Sequence, residues 1–119
     1  NAYHYLCQNI LLNHVNEIIE PLKGDNRKVA PENAADRVIM GYIGGTEKFL
    51  EKGIKCLKDN KGIIHFHEKY PEKMKLNTPL KIFEKEANKF NRKVNLLDIR
   101  EIKSYAPKIS HFVFDCEIT

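Results

Sequence analysis

Asp36-Arg37-Val38-Ile39-Met40-Gly41-Tyr42 sets three consecutive apolar residues between a charged pair and a glycine. A run of that kind is predicted to be a strand buried on both faces of a parallel sheet and ending at Gly41. Upstream, Gly24-Asp25-Asn26-Arg27 repeats the arrangement, with small and polar residues where the segment Glu17-Ile18-Ile19-Glu20-Pro21-Leu22 meets a loop. The two stretches are spaced like successive strand ends of a nucleotide-binding α/β sheet. In such sheets ligands lie outside the carboxyl ends of the strands.

Reading outward from this pair gives an alternating order of elements. Ala2 to about His14 is predicted as a helix, since Leu6, Ile10 and Leu11 recur near helical spacing without Gly or Pro between them. Glu17–Leu22 reads as a short strand that Pro21 ends or makes irregular, and Gly24–Pro31 as a loop. Thr46 is predicted to N-cap a helix to about Lys58, with Phe49, Leu50, Ile54 and Leu57 inward. Asp59-Asn60-Lys61-Gly62 is a stop signal ahead of a strand over Gly62–His67. Thr78-Pro79 places a polar cap before a proline and opens a helix to about Asn91, with Leu80, Phe83, Ala87 and Phe90 inward. Two last strands, about Val94–Lys103 and Ile109–Ile118, are joined by Ser104-Tyr105-Ala106-Pro107-Lys108. That link is too short for a parallel crossover, so they are predicted to form an antiparallel hairpin. The expected class is therefore α/β: parallel strands followed by a C-terminal antiparallel hairpin.

The chain has 119 residues, enough for about one small domain. Its net charge of +4 allows a polyanionic partner without requiring one. Cys7, Cys56 and Cys116 are odd in number and lack C-x-x-C spacing, so neither a disulfide framework nor a zinc knuckle is indicated, and a reducing cytoplasm fits. No run is long and apolar enough for a membrane span, and Asn1-Ala2-Tyr3-His4 does not resemble a signal peptide.

This element order is similar to the later part of the Rossmann-like class I methyltransferase fold, whose sheet ends in such a hairpin. Four blocks sharpen the likeness: Asn1-Ala2-Tyr3-His4-Tyr5-Leu6; Gly24-Asp25-Asn26-Arg27 with Asp36-Arg37-Val38; Gly62-Ile63-Ile64-His65-Phe66-His67; and Lys103-Ser104-Tyr105-Ala106-Pro107. In order and spacing they resemble the tRNA wybutosine-synthesising aminocarboxypropyltransferases, relatives of the tRNA (guanine-N1)-methyltransferases. The methylating relatives typically carry Asn-Leu-Pro or Asn-Pro-Pro where this chain has Met40-Gly41-Tyr42. That departure favours the aminocarboxypropyl branch.

The resemblance implies an enzyme that uses S-adenosylmethionine as donor substrate. It would transfer the 3-amino-3-carboxypropyl group to C7 of 4-demethylwyosine in phenylalanine tRNA. It also implies that the 119 residues are the C-terminal part of one cofactor-binding catalytic domain, with the first strands and the Gly-rich loop lying upstream. The alternatives are a tRNA (guanine-N1)-methyltransferase on the same scaffold and a non-catalytic α/β binding module.

Within that frame, Asp25 and Asn26 take the cofactor-binding role, the Asp accepting from the adenine amino group. An ordinary turn in which Asp25 caps its own backbone is the alternative. Gly41 and Tyr42 lie at the mouth where a target base enters, and Tyr42 either stacks on that base or packs under the loop. Backbone N–H groups near Thr46 offer a place for a phosphate or the cofactor carboxylate. His65 and His67 point to the same side of a strand; His67 is the candidate substrate-site residue and His65 a satisfied core histidine. A metal is not indicated, because no third ligand lies at a telling spacing. No catalytic residue is assigned, since the reaction depends on positioning. Lys103 and Tyr105 either touch tRNA or belong to a hairpin corner. Lys69, Lys73 and Lys75 either contact phosphates or form a solvated face.

Overall fold

The computed structural model describes residues 1–73 and 76–119, so Lys75 lies outside the described residues. The chain divides into two units, Asn1–Ala30 and Pro31–Thr119. In the first, helix α1 (Ala2–Leu12) starts where the Asn1 side chain accepts the His4 N–H and ends at Leu12 with Asn13 as its C-cap, two residues short of the predicted His14. Glu17–Leu22 is not a strand: residues 16–18 turn, and no ladder forms over the rest. A strand needs a neighbour for its backbone groups, and this stretch pairs with none of the described strands. The expected loop at 24–31 contains a single helical turn, α2 (Asn26–Val29), with Asp25 as its N-cap.

The second unit is a four-stranded sheet with helices packed on it. Its strands are β1 (Arg37–Met40), β2 (Gly62–Pro71), β3 (Val94–Ala106) and β4 (Ile109–Ile118), in the order β1-β2-β4-β3. β1 and β2 are parallel, with Val38 opposite Ile64 and Met40 opposite Phe66. β4 is antiparallel to both β2 and β3. The hairpin is therefore as expected, although β3 runs on to Ala106 and only Pro107-Lys108 turn the chain, with Lys108 at φ 62°. Among the described residues β1 pairs with β2 alone, so it lies at the edge of the sheet. The expectation of burial on both faces fails because the core helices pack on one face only. Met40 is buried, whereas Ile39, on the other face, is 74% exposed.

The core lies on one face only. Alternation along β2 and β4 turns Ile64, Phe66, Phe112, Phe114, Cys116 and Ile118 to the same side. Leu50, Ile54 and Leu57 from α3 (Leu50–Cys56) and its C-cap meet them there, as do Phe83 and Ala87 from α4 (Asn77–Asn88). Phe66 packs edge-on against Phe83 with ring centres 5.0 Å apart, and each such buried side chain contributes about 1.5–3 kcal/mol. Of the predicted helical stripes, Phe49, Leu80 and Phe90 are only half-buried. The helix predicted over 46–58 is instead a 3₁₀ turn, Thr46–Phe49, running into α3. Thr78 lies inside the first turn of α4 without a capping bond, so it is not the predicted N-cap.

Gly62 permits the join between β1 and β2. Its φ of 144° suits glycine, and a Cβ there would run into the Asp36 carbonyl oxygen and lie 2.9 Å from Leu57 Cδ2. Gly62→Ala is expected to lower stability by more than about 2 kcal/mol in urea titration. Gly41→Ala, whose Cβ would meet nothing within 4 Å, is expected to unfold at the same midpoint as the parent.

Candidate functional site

At the carboxyl ends of β1 and β2 the chain forms one ordered feature from residues far apart in sequence. β2 turns Ile64, Phe66, Glu68 and Tyr70 to the core side, so an acid falls where an apolar residue is expected, and Glu68 is only 6% exposed. A buried carboxylate must be met by donors, and here the backbone supplies them. Gly44 N–H and Lys69 N–H donate to Oε1 at 2.7 and 2.9 Å; Gly45 N–H and Thr46 N–H donate to Oε2 at 2.9 and 2.8 Å. Gly44 and Gly45, at φ 93° and 111°, give the backbone the left-handed turn that brings these N–H groups to one point. Burial works to raise the pKa of Glu68, but the four N–H donors outweigh it and hold the carboxyl below its ordinary value.

This arrangement corrects two expectations about Thr46. It is fully buried and is not an N-cap; Gly45 occupies that place without a side-chain cap bond, and Glu68 takes the free N–H groups of the turn. The same N–H groups are therefore not open to a phosphate or a cofactor carboxylate. Thr46 Oγ1 instead faces the carbonyl oxygens of Tyr42 and His67, with 2.8 Å to the latter, and fastens the loop to β2. Sequence reasoning missed Glu68 altogether. The available signal was an acid in phase with Ile64 and Phe66, in a chain that also offers the Gly44-Gly45 pair.

Gly41 and Tyr42 open this loop. Tyr42 is 52% exposed, its ring edge-on to Phe49 at 5.3 Å, with Lys48 Nζ 5.1 Å above it. It neither buries itself under the loop nor stands free. Behind the loop lies a pocket of about 340 Å³ lined by Gly44, Gly45, Glu47, Glu68, Lys69 and Tyr70.

The two strand histidines do share a side, the face of the sheet away from the core. His65 is satisfied but is not the core histidine expected, because β2 alternation turns it to the open face: Arg37 Nη1 donates to Nε2 at 3.1 Å, which puts the proton on Nδ1, 2.7 Å from Asp115 Oδ1. Arg100 holds the other Asp115 oxygen at 3.1 Å. His67 Nδ1 lies 3.0 Å from His111 Nε2. Burial first, then the neighbouring His111 and His65, keeps the pKa of His67 below its ordinary value, so its ring is neutral at pH 7. The structure thus links His67 to the Tyr42 loop through its backbone carbonyl, while its ring meets His111. Among the described residues no three His, Cys, Asp or Glu groups gather as a metal site.

Asp25 and Asn26 belong to the first unit. Asp25 Oδ1 accepts the Arg27 backbone N–H at 2.9 Å, and its carboxylate is clasped by the Arg27 guanidinium, with Nη2 2.8 Å from Oδ2. The Arg27 side chain and backbone bonds lower its pKa to about 2. Nε of Arg27 also lies 3.1 Å from Oδ1 and 3.3 Å from Oδ2, so Asp25 is an exposed, ionised N-cap with both oxygens engaged by Arg27, the capping turn that was the alternative reading.

A parallel β-α-β unit followed by an antiparallel hairpin, with its polar loop at the carboxyl ends of the strands, is the class I S-adenosylmethionine-dependent methyltransferase architecture. Residues 1–97 match the TRM5/TYW2 methyltransferase domain, and the chain belongs to that family. It is 46% identical, over 98% of its length and 46% of the relative's, to the tRNA(Phe) (4-demethylwyosine(37)-C(7)) aminocarboxypropyltransferase of Methanocaldococcus jannaschii. It is 37% identical, over 99% of its length and 34% of the relative's, to the tRNA (guanine(37)-N(1))-methyltransferase Trm5b of Pyrococcus abyssi. The solved structure of M. jannaschii TYW2 in complex with AdoMet superposes with a TM-score of 0.89 at 45% identity, covering 98% of this chain and 52% of that one. The chain spans about half the length of the curated aminocarboxypropyltransferases it matches.

Glu68→Gln keeps the shape but sets an amide NH2 against backbone N–H donors. It is expected to lower stability by about 2–3 kcal/mol and to speed amide exchange at Gly44, Gly45 and Thr46. Because the folded-state pKa of Glu68 is lowered, its contribution is complete above the ordinary carboxylate range and is lost as pH falls through the lowered value. Urea midpoints are therefore expected to converge between parent and Glu68→Gln as pH falls to the acid side of the ordinary carboxylate range.

Proposed function

We propose that these 119 residues form the C-terminal part of one S-adenosylmethionine-binding catalytic domain, with the Gly-rich loop and the ribose-binding acid contributed by preceding residues. The complete protein transfers the 3-amino-3-carboxypropyl group to C7 of 4-demethylwyosine in phenylalanine tRNA. The observation that carries this reading is the 46% identity to the M. jannaschii aminocarboxypropyltransferase along 98% of the chain. Gly41-Tyr42 in place of the Asn and Pro of the methylating relatives supports the same branch. A tRNA substrate implies a cytoplasmic enzyme, and no helix among the described residues is long and apolar enough to cross a membrane.

The residues fit such a cofactor. Asp25 is ionised at any physiological pH and exposed, and an adenine amino group would bind it by taking the place of one of its Arg27 bonds. Asn26 adds an amide beside it. When bound, S-adenosylmethionine supplies a sulfonium that activates all three attached carbons, so orientation decides which group is transferred. This chain's part is then positional. Asp25 and Asn26 hold the adenine end, the Gly41-Tyr42 loop holds the target base, and Glu68 and Thr46 keep that loop in one shape. His67, neutral and half-buried, lines the strand end from which the loop is fastened. The transfer forms a bond at C7 and breaks the sulfonium S–C bond, and the proton displaced from C7 is assigned to no residue of this chain.

The complete protein, given S-adenosylmethionine and substrate tRNA, is expected to release methylthioadenosine by mass spectrometry; S-adenosylhomocysteine would make it the methylating relative instead. Asp25→Ala is expected to weaken S-adenosylmethionine binding about tenfold or more by calorimetry, the loss of a charge-assisted hydrogen bond. Asp25→Ser, which keeps a capping oxygen for α2, is expected to weaken it as well. Unchanged affinity in both would remove Asp25 from the cofactor site.

A further inference from the structure

Two lysines flank the Glu68 loop, and each rests on an aromatic ring. Lys69 Nζ lies 4.8 Å from the centre of the Tyr105 ring, and Lys48 Nζ lies 5.1 Å from the centres of both Tyr42 and Phe49. The two pairs are neighbours. A Cβ on Gly44 would touch the Lys69 side-chain end at 3.8 Å, and one on Gly45 would touch the Lys48 end at 3.9 Å. Both lysines therefore lie against consecutive glycines that Glu68 fixes in place, so the spacing of the pairs is set by a buried carboxylate. Tyr42 and Tyr105 are each 52% exposed, which leaves ring surface open to a ligand while the lysine occupies part of it. The Glu68 charge is spent on backbone N–H groups, and Glu47 is the other acid lining the pocket between the pairs.

We propose that the Lys69–Tyr105 and Lys48–Tyr42 pairs form a binding surface for unpaired RNA, the lysines meeting successive phosphates and the two tyrosine rings stacking on bases. Alternation of cation and ring along a fixed loop matches the alternation of phosphate and base along a single strand. A duplex keeps its base faces inside the stack, so its backbone would meet the lysines but leave both rings unused. A protein partner of acidic character would likewise engage the lysines and not need the rings. The inference rests on the tRNA reading given above and names the part of the tRNA concerned: an unstacked loop, held on the side of the pocket nearest the hairpin tip. Tyr42 is the ring that faces the target base in that reading; Tyr105 is a second platform, carried by a different strand.

The test is fluorescence anisotropy of the complete protein with a labelled stem-loop RNA and with a fully paired RNA of the same length, across salt concentrations. The parent is expected to prefer the stem-loop. Tyr105→Ala is expected to weaken stem-loop binding about tenfold, with little effect on the duplex, while Tyr105→Phe, which keeps the ring, binds as the parent does. Lys69→Ala is expected to weaken both RNAs and to reduce the slope of log K against log salt by about one. S-adenosylmethionine affinity by calorimetry reports that each variant is folded. Equal binding of duplex and stem-loop, or parent-like stem-loop binding by Tyr105→Ala, would overturn the proposal. Methylthioadenosine release with parent-like binding by Tyr105→Ala would sink this surface and leave the transfer reading standing. S-adenosylhomocysteine release together with the expected binding pattern would do the reverse.

Discussion

One carboxylate organises the end of the sheet where function is expected. Glu68 is buried on the core side of β2, and the only way to keep its charge there is to give it hydrogen-bond donors. Four backbone N–H groups do so, three from consecutive residues of a single loop. That requirement dictates the left-handed glycines at 44 and 45, the burial of Thr46 and the start of the helical segment leading into α3. The loop after β1 is shaped by a residue on the next strand, so its two ends are positioned by the same ladder that pairs β1 with β2.

The consequence is a division of labour between the faces of the sheet. The core face is apolar apart from Glu68 and the small polar groups near it, and it binds α3 and α4. The opposite face carries a relay of ions and imidazoles, from Arg37 through His65 and Asp115 to Arg100, with the His67–His111 pair beside it. Ligand contacts need not come from either face, because the loop and the hairpin tip carry aromatic and cationic groups at the strand ends. Chemistry that works by orienting two reactants suits such a place: a stiff platform with little titrating close to it.

Much of the fold was legible because it is local. Periodicity placed α1, α4, β2 and the hairpin within a few residues, and the shortness of the Ser104–Lys108 link alone required antiparallel strands. The larger errors share one cause, a partner distant in sequence. Glu17–Leu22 has strand-like composition but no described neighbour to pair with. Val38–Met40 looked doubly buried, yet burial depends on what covers each face, and Ile39 shows that one face is open. Thr46 had the right chemistry for a cap, but the capping oxygens arrive from Glu68, 22 residues away. The site was legible to the same degree. Asp25 and Tyr42 were singled out by their place after apolar runs and by resemblance, whereas Glu68 could be recognised only once the strand phase of β2 was known.

The edge position of β1 has a bearing on how such a polypeptide behaves in solution. Among the described residues one side of β1 is hydrogen-bonded to β2 and the other meets no strand, next to Ile39, which is 74% exposed. An open edge with an apolar side chain is a template onto which any extended segment can add. Produced by themselves, these 119 residues would therefore be prone to self-association through strand addition, at a concentration threshold that a charged residue at position 39 would raise.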